Sequence, residues 1–208
     1  MSKYIRDLIS QGEHQKLDFK FEISDAAKIA RTFSAFANTL GGTLLIGVKD
    51  NGVIKGISSD EEAYMADAAS SMNTKPPVPF SIETWTVEKK TVLEVKIPES
   101  ENKPHKAPRK DNTWKAFVRV ADENFVADPI LLNVWNNQRL GKEILLRYDE
   151  VEKKLLDYLN TNESITVKEF MTLCNVKYYK AKKVLVNLVS LRILDYNYIE
   201  NKIHFHIS

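Results

Sequence analysis

Residues 33–50 read FSAFANTLGGTLLIGVKD, and the apolar period changes inside that stretch. Ala26, Ile29, Ala30, Phe33, Phe36, Ala37 and Leu40 recur at three- and four-residue steps, the pattern of a helix with one buried face. Ser24 stands where its N-cap belongs, with Asp25 in the first turn. Gly41 and Gly42 end it, because glycine accepts the left-handed C-cap conformation. Residues 43–48, TLLIGV, are then almost continuously apolar, as in a central strand. A helix, a Gly-Gly stop and a strand in direct succession predict an α+β domain. Neither G-x-x-x-x-G-K-[ST] nor G-x-G-x-x-G surrounds the glycines, so they do not form a phosphate loop.

Outward from that block, residues 17–21 (LDFKF) alternate like a strand. Asp50-Asn51-Gly52 is a tight-turn signal, and residues 53–57 read as a returning strand, making 43–57 a hairpin. Residues 61–72 look helical until the prolines at 76, 77 and 79 break the pattern. Two strands, 80–87 and 91–97, flank Glu88-Lys89-Lys90. A proline- and lysine-containing loop (98–110) and an alternating strand, 114–120 (WKAFVRV), follow. Asp128-Pro129 opens a further helix, Asp128 as cap and Pro129 at the first helical position.

Residues 139–148 are linker-like yet keep helical character. Beyond them Val151, Leu155, Tyr158 and Leu159 make one helical face, and Thr166-x-x-Glu169 is a capping box opening a second helix. A third helix turns Ala181, Val184, Leu185 and Leu188 inward, and alternation around Glu200-Asn201 reads as a hairpin. Three short helices and a hairpin predict a winged helix-turn-helix. Its recognition helix presents Lys177, Tyr179, Lys180, Lys182, Lys183 and Asn187 outward, and residues 177–192 carry five basic side chains and no acidic one. Such a helix gains by counterion release on a phosphate backbone. The alternative is a solvated lysine face on a protein-interaction module. His204 and His206 share a strand face but are too few for a metal site.

Bulk properties bound the rest. The 208 residues accommodate two small domains, expected at 1–140 and 141–208. With 43% hydrophobic and 28% charged residues the chain is not of the disordered class. The net charge is only +2, so a basic surface must be local. Cys174 is the one cysteine, which excludes a disulfide scaffold or a cysteine zinc cluster. The first ten residues lack the apolar core of a secretory signal, and no apolar run could span a bilayer, so a cytoplasmic protein is expected, with no membrane partner.

Several blocks together resemble the Schlafen AlbA_2 family. These are Gly12-Glu13 followed by Leu17-Asp18-Phe19-Lys20, the FANT-x-GG-x-L-x-IGV-x-D signature, Asn51-Gly52 with Lys55-Gly56, and Phe117-Val118-Arg119-Val120 with Asp128-Pro129 beyond. The resemblance covers residues 10–140 and implies an AlbA_2-like mixed α/β domain that binds nucleic acid. In bacterial transcriptional regulators such a domain often precedes a winged helix. It also implies an alternative, because the family includes RNA-cleaving members with three carboxylates, whose positions match Glu13, Asp18 and Asp50. Clustered carboxylates can hold Mg²⁺ or Mn²⁺, and Lys20, on the same strand face as Asp18, could stabilise developing charge. Asp18 departs from the glutamate usual at its position, which shortens that ligand by one methylene. Each residue also has a plainer reading: Glu13 a solvated loop acid, Asp50 a turn residue, Asp18 and Lys20 a charge pair.

A second basic cluster lies in the same domain. Lys103, His105, Lys106, Arg109, Lys110, Lys115 and Arg119 are opposed only by Asp111, and Trp114 is the aromatic placed to stack outward, Phe117 falling on the other strand face. The expectation is a DNA-binding, transcription-regulating protein that needs no cofactor to bind, favours DNA over RNA, and assembles two-fold on paired half-sites. A metal-dependent endoribonuclease and a protein-interaction adaptor are the rivals.

Overall fold

The first unit, Met1–Ala127, is arranged around a single helix. Its elements are α1 (Ser2–Ile9), β1 (Leu17–Lys20), α2 (Ala26–Asn38), β2 (Gly42–Ile46), α3 (Glu61–Ser71), β3 (Ser81–Val87), β4 (Lys90–Ile97), β5 (Lys106–Pro108), β6 (Trp114–Val120) and β7 (Glu123–Val126). The computed structural model describes residues 2–57, 59, 61–145, 148–200 and 202–208.

Helix α2 is two-faced, and both faces are used. Its apolar arc, with Ile29, Phe33 and Phe36, packs on Leu44, Ile46, Leu93, Val95 and Ile97 of a four-stranded sheet of order β1-β2-β4-β3. In that sheet β1 runs parallel to β2, and the other pairs are antiparallel. Strand alternation sends Leu17, Phe19, Leu45 and Val92 to the opposite face, where Ile5 of α1 joins them in a second cluster. The other arc of α2 carries Arg31, Thr32, Ser34 and Asn38, and packs on the β5-β6-β7 sheet.

That polar arc replaces strand pairing. β5 pairs with β6 only from Trp114 to Ala116. From Phe117 onward β6 pairs with β7. The Asn38 amide fills the break: its Nδ2 donates to the Phe117 and His105 carbonyls at 2.9 and 2.8 Å, and its Oδ1 accepts from the His105 N–H at 2.8 Å. Ser34 Oγ donates to the His105 carbonyl at 2.8 Å and accepts from the Phe117 N–H at 3.0 Å. Buried backbone groups need such partners, since an unmade hydrogen bond costs more than a made one contributes.

Several local expectations shift. Asp25, not Ser24, caps α2, accepting from the Ala27 and Lys28 N–H groups. The helix stops at Asn38, which leaves Leu40 53% exposed rather than on the buried face. Gly41 sits at φ +67°, and a Cβ there would lie 2.8 Å from the Ile97 carbonyl oxygen, so only glycine fits. Residues 43–57 are not a two-stranded hairpin. β1 and β4 occupy both edges of β2, and the chain bends away at Gly47 (φ +97°). It returns through a single bridge, Val48 to Ile54.

The second unit, Asp128–Ser208, contains α4 (Pro129–Arg139), α5 (Glu150–Leu159), β8 (Ile165–Thr166), α6 (Val167–Cys174), α7 (Tyr178–Ser190), β9 (Leu194–Ile199) and β10 (Lys202–Ile207). Its strands are ordered β8-β10-β9, all antiparallel. Asp128 caps α4 as expected, and the Thr166/Glu169 capping box opens α6. Asn175 ends α6 in the left-handed conformation. Helix α4 buries Ile130, Leu131, Val134 and Trp135 and packs on α7. The division between units therefore falls before Asp128 rather than after Leu140. Residues 140–145, 148 and 149 are not helical, whereas Leu146, Arg147 and Asn201, which the sequence alternation put at a hairpin turn, lie outside the described residues.

Asn38→Ala should lower the unfolding free energy of the first unit by about 3 kcal/mol, because it strands the His105 N–H and the Phe117 carbonyl. Urea denaturation of the full chain checks this. A loss no larger than that of an exposed-site variant such as Asn51→Ala would show the network to be dispensable.

Candidate nucleic-acid interface

The carboxylates of the first unit meet at β1. Asp18 and Lys20 pair with Leu44 and Ile46 in the parallel ladder and so point to the face covered by α2. Asp18 is 4% exposed, and both its oxygens are taken. Lys20 Nζ lies 3.1 Å from Oδ2, and Arg119 Nη2 lies 3.1 Å from Oδ1. Arg119 is 2% exposed and also donates to the Leu17 carbonyl (3.3 Å) and to Asn124 Oδ1 (3.2 Å). Glu13 accepts from the Phe19 N–H at 2.8 Å, with Lys20 Nζ at 3.8 Å. Burial, and then a hydrogen bond shared with Asp18, push the Glu13 carboxyl up to about 7.

Glu13, Asp18 and Lys20 are thus brought together, with Arg119 as a fourth member the sequence reading placed elsewhere. Asp50 is not among them. It is exposed in the turn after Val48 and lines an open pocket with Phe21, Lys49, Asn51 and Lys55. Among the described residues no three His, Cys, Asp or Glu side chains are grouped to hold a metal ion. A Mg²⁺ or Mn²⁺ site built on Glu13, Asp18 and Asp50 does not fit this arrangement, since Asp18 is already neutralised by two cations.

The basic loop divides into buried and free groups. Arg119 is withdrawn from any ligand because it compensates Asp18. His105 is buried as well: desolvation holds its imidazole below the ordinary range and so favours the neutral form, between the Pro76 carbonyl (2.8 Å) and Ser100 Oγ (2.7 Å). Lys103 is held by Glu99 at 2.7 Å. Lys106, Arg109, Lys110 and Lys115 are exposed, with Arg109 3.9 Å from Asp111. The half-buried Trp114 carries an unforeseen neighbour, Lys75, whose Nζ lies 4.1 Å from the ring centroid. Only tertiary pairing brings Lys75 there, so no local pattern announces it.

In the second unit α7 sorts its side chains by stripe. Tyr179, Lys183 and Asn187, four residues apart, form the open stripe, with Tyr179 81% exposed, Lys183 exposed, Asn187 half-buried, and Lys177 exposed at the helix entrance. Lys182 shares its stripe with the buried Val186 and Val189 and is half-buried. Lys180 is drawn to Asp149 at 3.1 Å. Hydrogen bonding to Glu152, then to Lys180, holds the Asp149 carboxyl well below the usual carboxylate range.

A family model described as Schlafen, AlbA_2 matches residues 13–128. The match ends at Asp128, so almost all of the second unit lies outside it. Among solved structures, the chain is similar to the DIP2311 protein from Corynebacterium diphtheriae at 18% identity and a TM-score of 0.48, over 73% of this chain and 26% of that one. It is similar also to the N-terminal domain of a RecG-related protein from Nitrosomonas europaea, at 22% identity and a TM-score of 0.37, over 60% of this chain and 95% of that one. This chain spans about a quarter of the length of the DIP2311 protein. No curated protein matches it. Among the described residues no helix is long and apolar enough to cross a membrane.

The raised Glu13 carboxyl has a signed consequence for stability. Its folded value of about 7 lies above the ordinary 4.5, so the folded state binds this proton more tightly. The stabilisation is complete below the unfolded value and is lost as pH rises through the folded one. Across that window the wild type should lose about 2 kcal/mol relative to Glu13→Gln, which has no proton to release; this is less than the full shift would give, because solvent screens a partly exposed carboxyl. Urea denaturation of both proteins across the window checks it; parallel pH curves would contradict it.

Proposed function

This chain belongs to the Schlafen AlbA_2 family over residues 13–128, and from that premise we propose that it is a DNA-binding protein of the transcription-regulating type. The observation that carries the reading is the open stripe of α7. Tyr179 and Lys183 stand clear of the core, with the half-buried Asn187 one turn further on, on a helix flanked by Lys177, in a stretch with no acidic residue between 177 and 192.

The order α5, β8, α6, α7, β9, β10, with β8 paired to β10, supports reading the second unit as a winged helix whose recognition helix is α7. An α-helix fits the major groove of B-form DNA, whereas the deep, narrow major groove of A-form RNA excludes it, which favours DNA as partner. Lys183 and Lys177 are suited to phosphates, and Asn187 and Tyr179 to hydrogen bonds with phosphates or base edges. Lys106, Arg109, Lys110, Trp114 and Lys115 of the first unit add a second surface. Two copies reading paired half-sites would suit a regulator of this kind, and no cofactor enters the binding step. The ribonuclease reading loses support because Asp50 stands apart from Glu13 and Asp18.

The test is fluorescence anisotropy of labelled duplex DNA across a salt series, with structured RNA and Mn²⁺ run in parallel on a denaturing gel. Salt-sensitive duplex binding is expected, with the log–log slope reduced by about 0.9 in Lys183→Gln for one lost phosphate contact. Intact RNA is expected in every lane. RNA shortened only with Mn²⁺ and spared by the Asp50→Ala protein would establish the endoribonuclease instead. Absence of binding to either nucleic acid at low salt would leave the protein-interaction adaptor.

A further inference from the structure

Lys75 and Lys106 exchange two backbone hydrogen bonds: Lys75 N–H to the Lys106 carbonyl at 2.9 Å, and Lys106 N–H to the Lys75 carbonyl at 2.8 Å. A reciprocal pair of this kind sends both side chains to one face, with Cα atoms about 5.5 Å apart. On β6, Lys106 lies opposite Ala116, and Trp114 is two residues from Ala116, so Trp114 shares that face. Lys115, one residue on, belongs to the other face. The result is an indole with the Lys75 ammonium over its ring and a second lysine, Lys106, on the same strand face, the three drawn from separate segments.

Three further facts mark this group out. Lys75 covers the ring, Nζ 4.1 Å from its centroid, while Lys75 and Lys106 are both exposed. Among the described residues neither ammonium has a carboxylate within ion-pair distance, unlike Lys20, Lys96, Lys103 and Lys180. The indole N–H of Trp114 has no protein acceptor among the described residues, whereas that of Trp85 donates to Glu94 at 2.9 Å. The backbone beneath is fixed by the buried bonds of Asn38 and Ser34 to His105, next to Lys106.

We propose that Lys75, Lys106 and Trp114 form a binding site for an unpaired stretch of nucleic acid, one base stacking on Trp114 while the two lysines hold the adjoining phosphates. The idea rests on the nucleic-acid reading above and names the ligand class of the first unit's surface. Stacking needs a base face, and a duplex keeps its base faces inside the helical stack, so this site selects single strands. The cation already on the ring is part of the device. An exposed cation–π contact is weaker than base–aromatic stacking. An arriving base therefore displaces Lys75 Nζ from the indole, and the freed ammonium moves to the phosphate that the base brings with it.

The experiment titrates the full chain with a short oligothymidylate and with its duplex on oligodeoxyadenylate. Tryptophan emission and anisotropy are both followed, in wild type, Trp114→Leu, Trp114→Phe, Lys75→Gln and Lys183→Gln. The single strand should quench emission in wild type. Trp114→Leu should abolish most of that quench and weaken single-strand binding roughly tenfold, a larger factor than any loss it causes on the duplex. Trp114→Phe should retain binding, which separates loss of the ring from loss of fold. Lys75→Gln should weaken the single strand several-fold and flatten its salt slope. If Trp114→Leu binds oligothymidylate like wild type, or if wild type binds only the duplex, the site is overturned and the α7 reading stands. If Lys183→Gln weakens duplex binding yet leaves the single strand as in wild type, the two surfaces are independent, as proposed. If wild type binds neither nucleic acid at low salt, the site and the broader reading fall together.

Discussion

The Asn38 side-chain amide holds the first unit together. A helix placed between two sheets must satisfy both of its faces, and hydrophobic packing settles only one. On the other, β5 and β6 part company at Phe117, and backbone groups are left facing a helix instead of a strand. Asn38 supplies both a donor and an acceptor there, much as a strand would, and Ser34 one turn earlier does the same. The position of β5 follows from those bonds, because His105 immediately precedes it. Lys106 follows from β5, and Lys75 from its pairing with Lys106. A surface with free cations thus traces back to an uncharged amide in the core.

Charge in this unit is sorted by what surrounds it. Arg119 lies beneath α2, its guanidinium 5.3 Å from the Phe36 ring, and its charge is tolerable only because Asp18 sits against it. Lys20 answers the second Asp18 oxygen, and Glu13, crowded by the same carboxylate and partly desolvated, keeps its proton to a higher pH. Both cations are committed to Asp18, and Glu13 completes their neutralisation once it ionises above about 7. That is the opposite of what an anionic ligand requires, and it explains why the basic sequence around residue 119 overstates the positive surface. The surface that survives in this unit includes the part with no acidic neighbour at Lys75 and Lys106.

Local chemistry was readable from the sequence, and long-range pairing was not. Thr166 with Glu169 and Asp128 with Pro129 each combine a cap with a helix start inside four residues, and both sit where expected. The change of apolar period at Gly41 and Gly42 located α2 and β2 for the same reason. The stretch 43–57 misled because Asn51-Gly52 is a real turn, but whether a turn closes a ladder depends on what else pairs with the first strand. β4, some fifty residues on, takes that edge. The Arg31, Thr32, Ser34 and Asn38 arc was legible only as the polar side of an amphipathic helix, whose default is solvent; its burial depends on β6. Asp50 carried the family signature yet stands in a turn away from β1, since sequence similarity preserves a residue type without fixing its neighbours.

A chain with net charge +2 can still present strongly attractive surfaces, because net charge counts groups that the fold has already paired. Lys20, Lys96, Lys103, Lys180 and Arg119 each have a carboxylate partner, and an ion pair offers a passing phosphate little. The unpaired lysines matter more than their number suggests, because the fold places them beside groups that add direction to the charge. Lys183 stands in line with Tyr179 and Asn187 on a helix that can enter a groove. Lys75 and Lys106 stand beside an indole that can accept a flat base. Screening weakens the charge at both places equally, within about 10 Å at ordinary salt. It leaves their shapes intact, so shape is what must distinguish a groove from a single base.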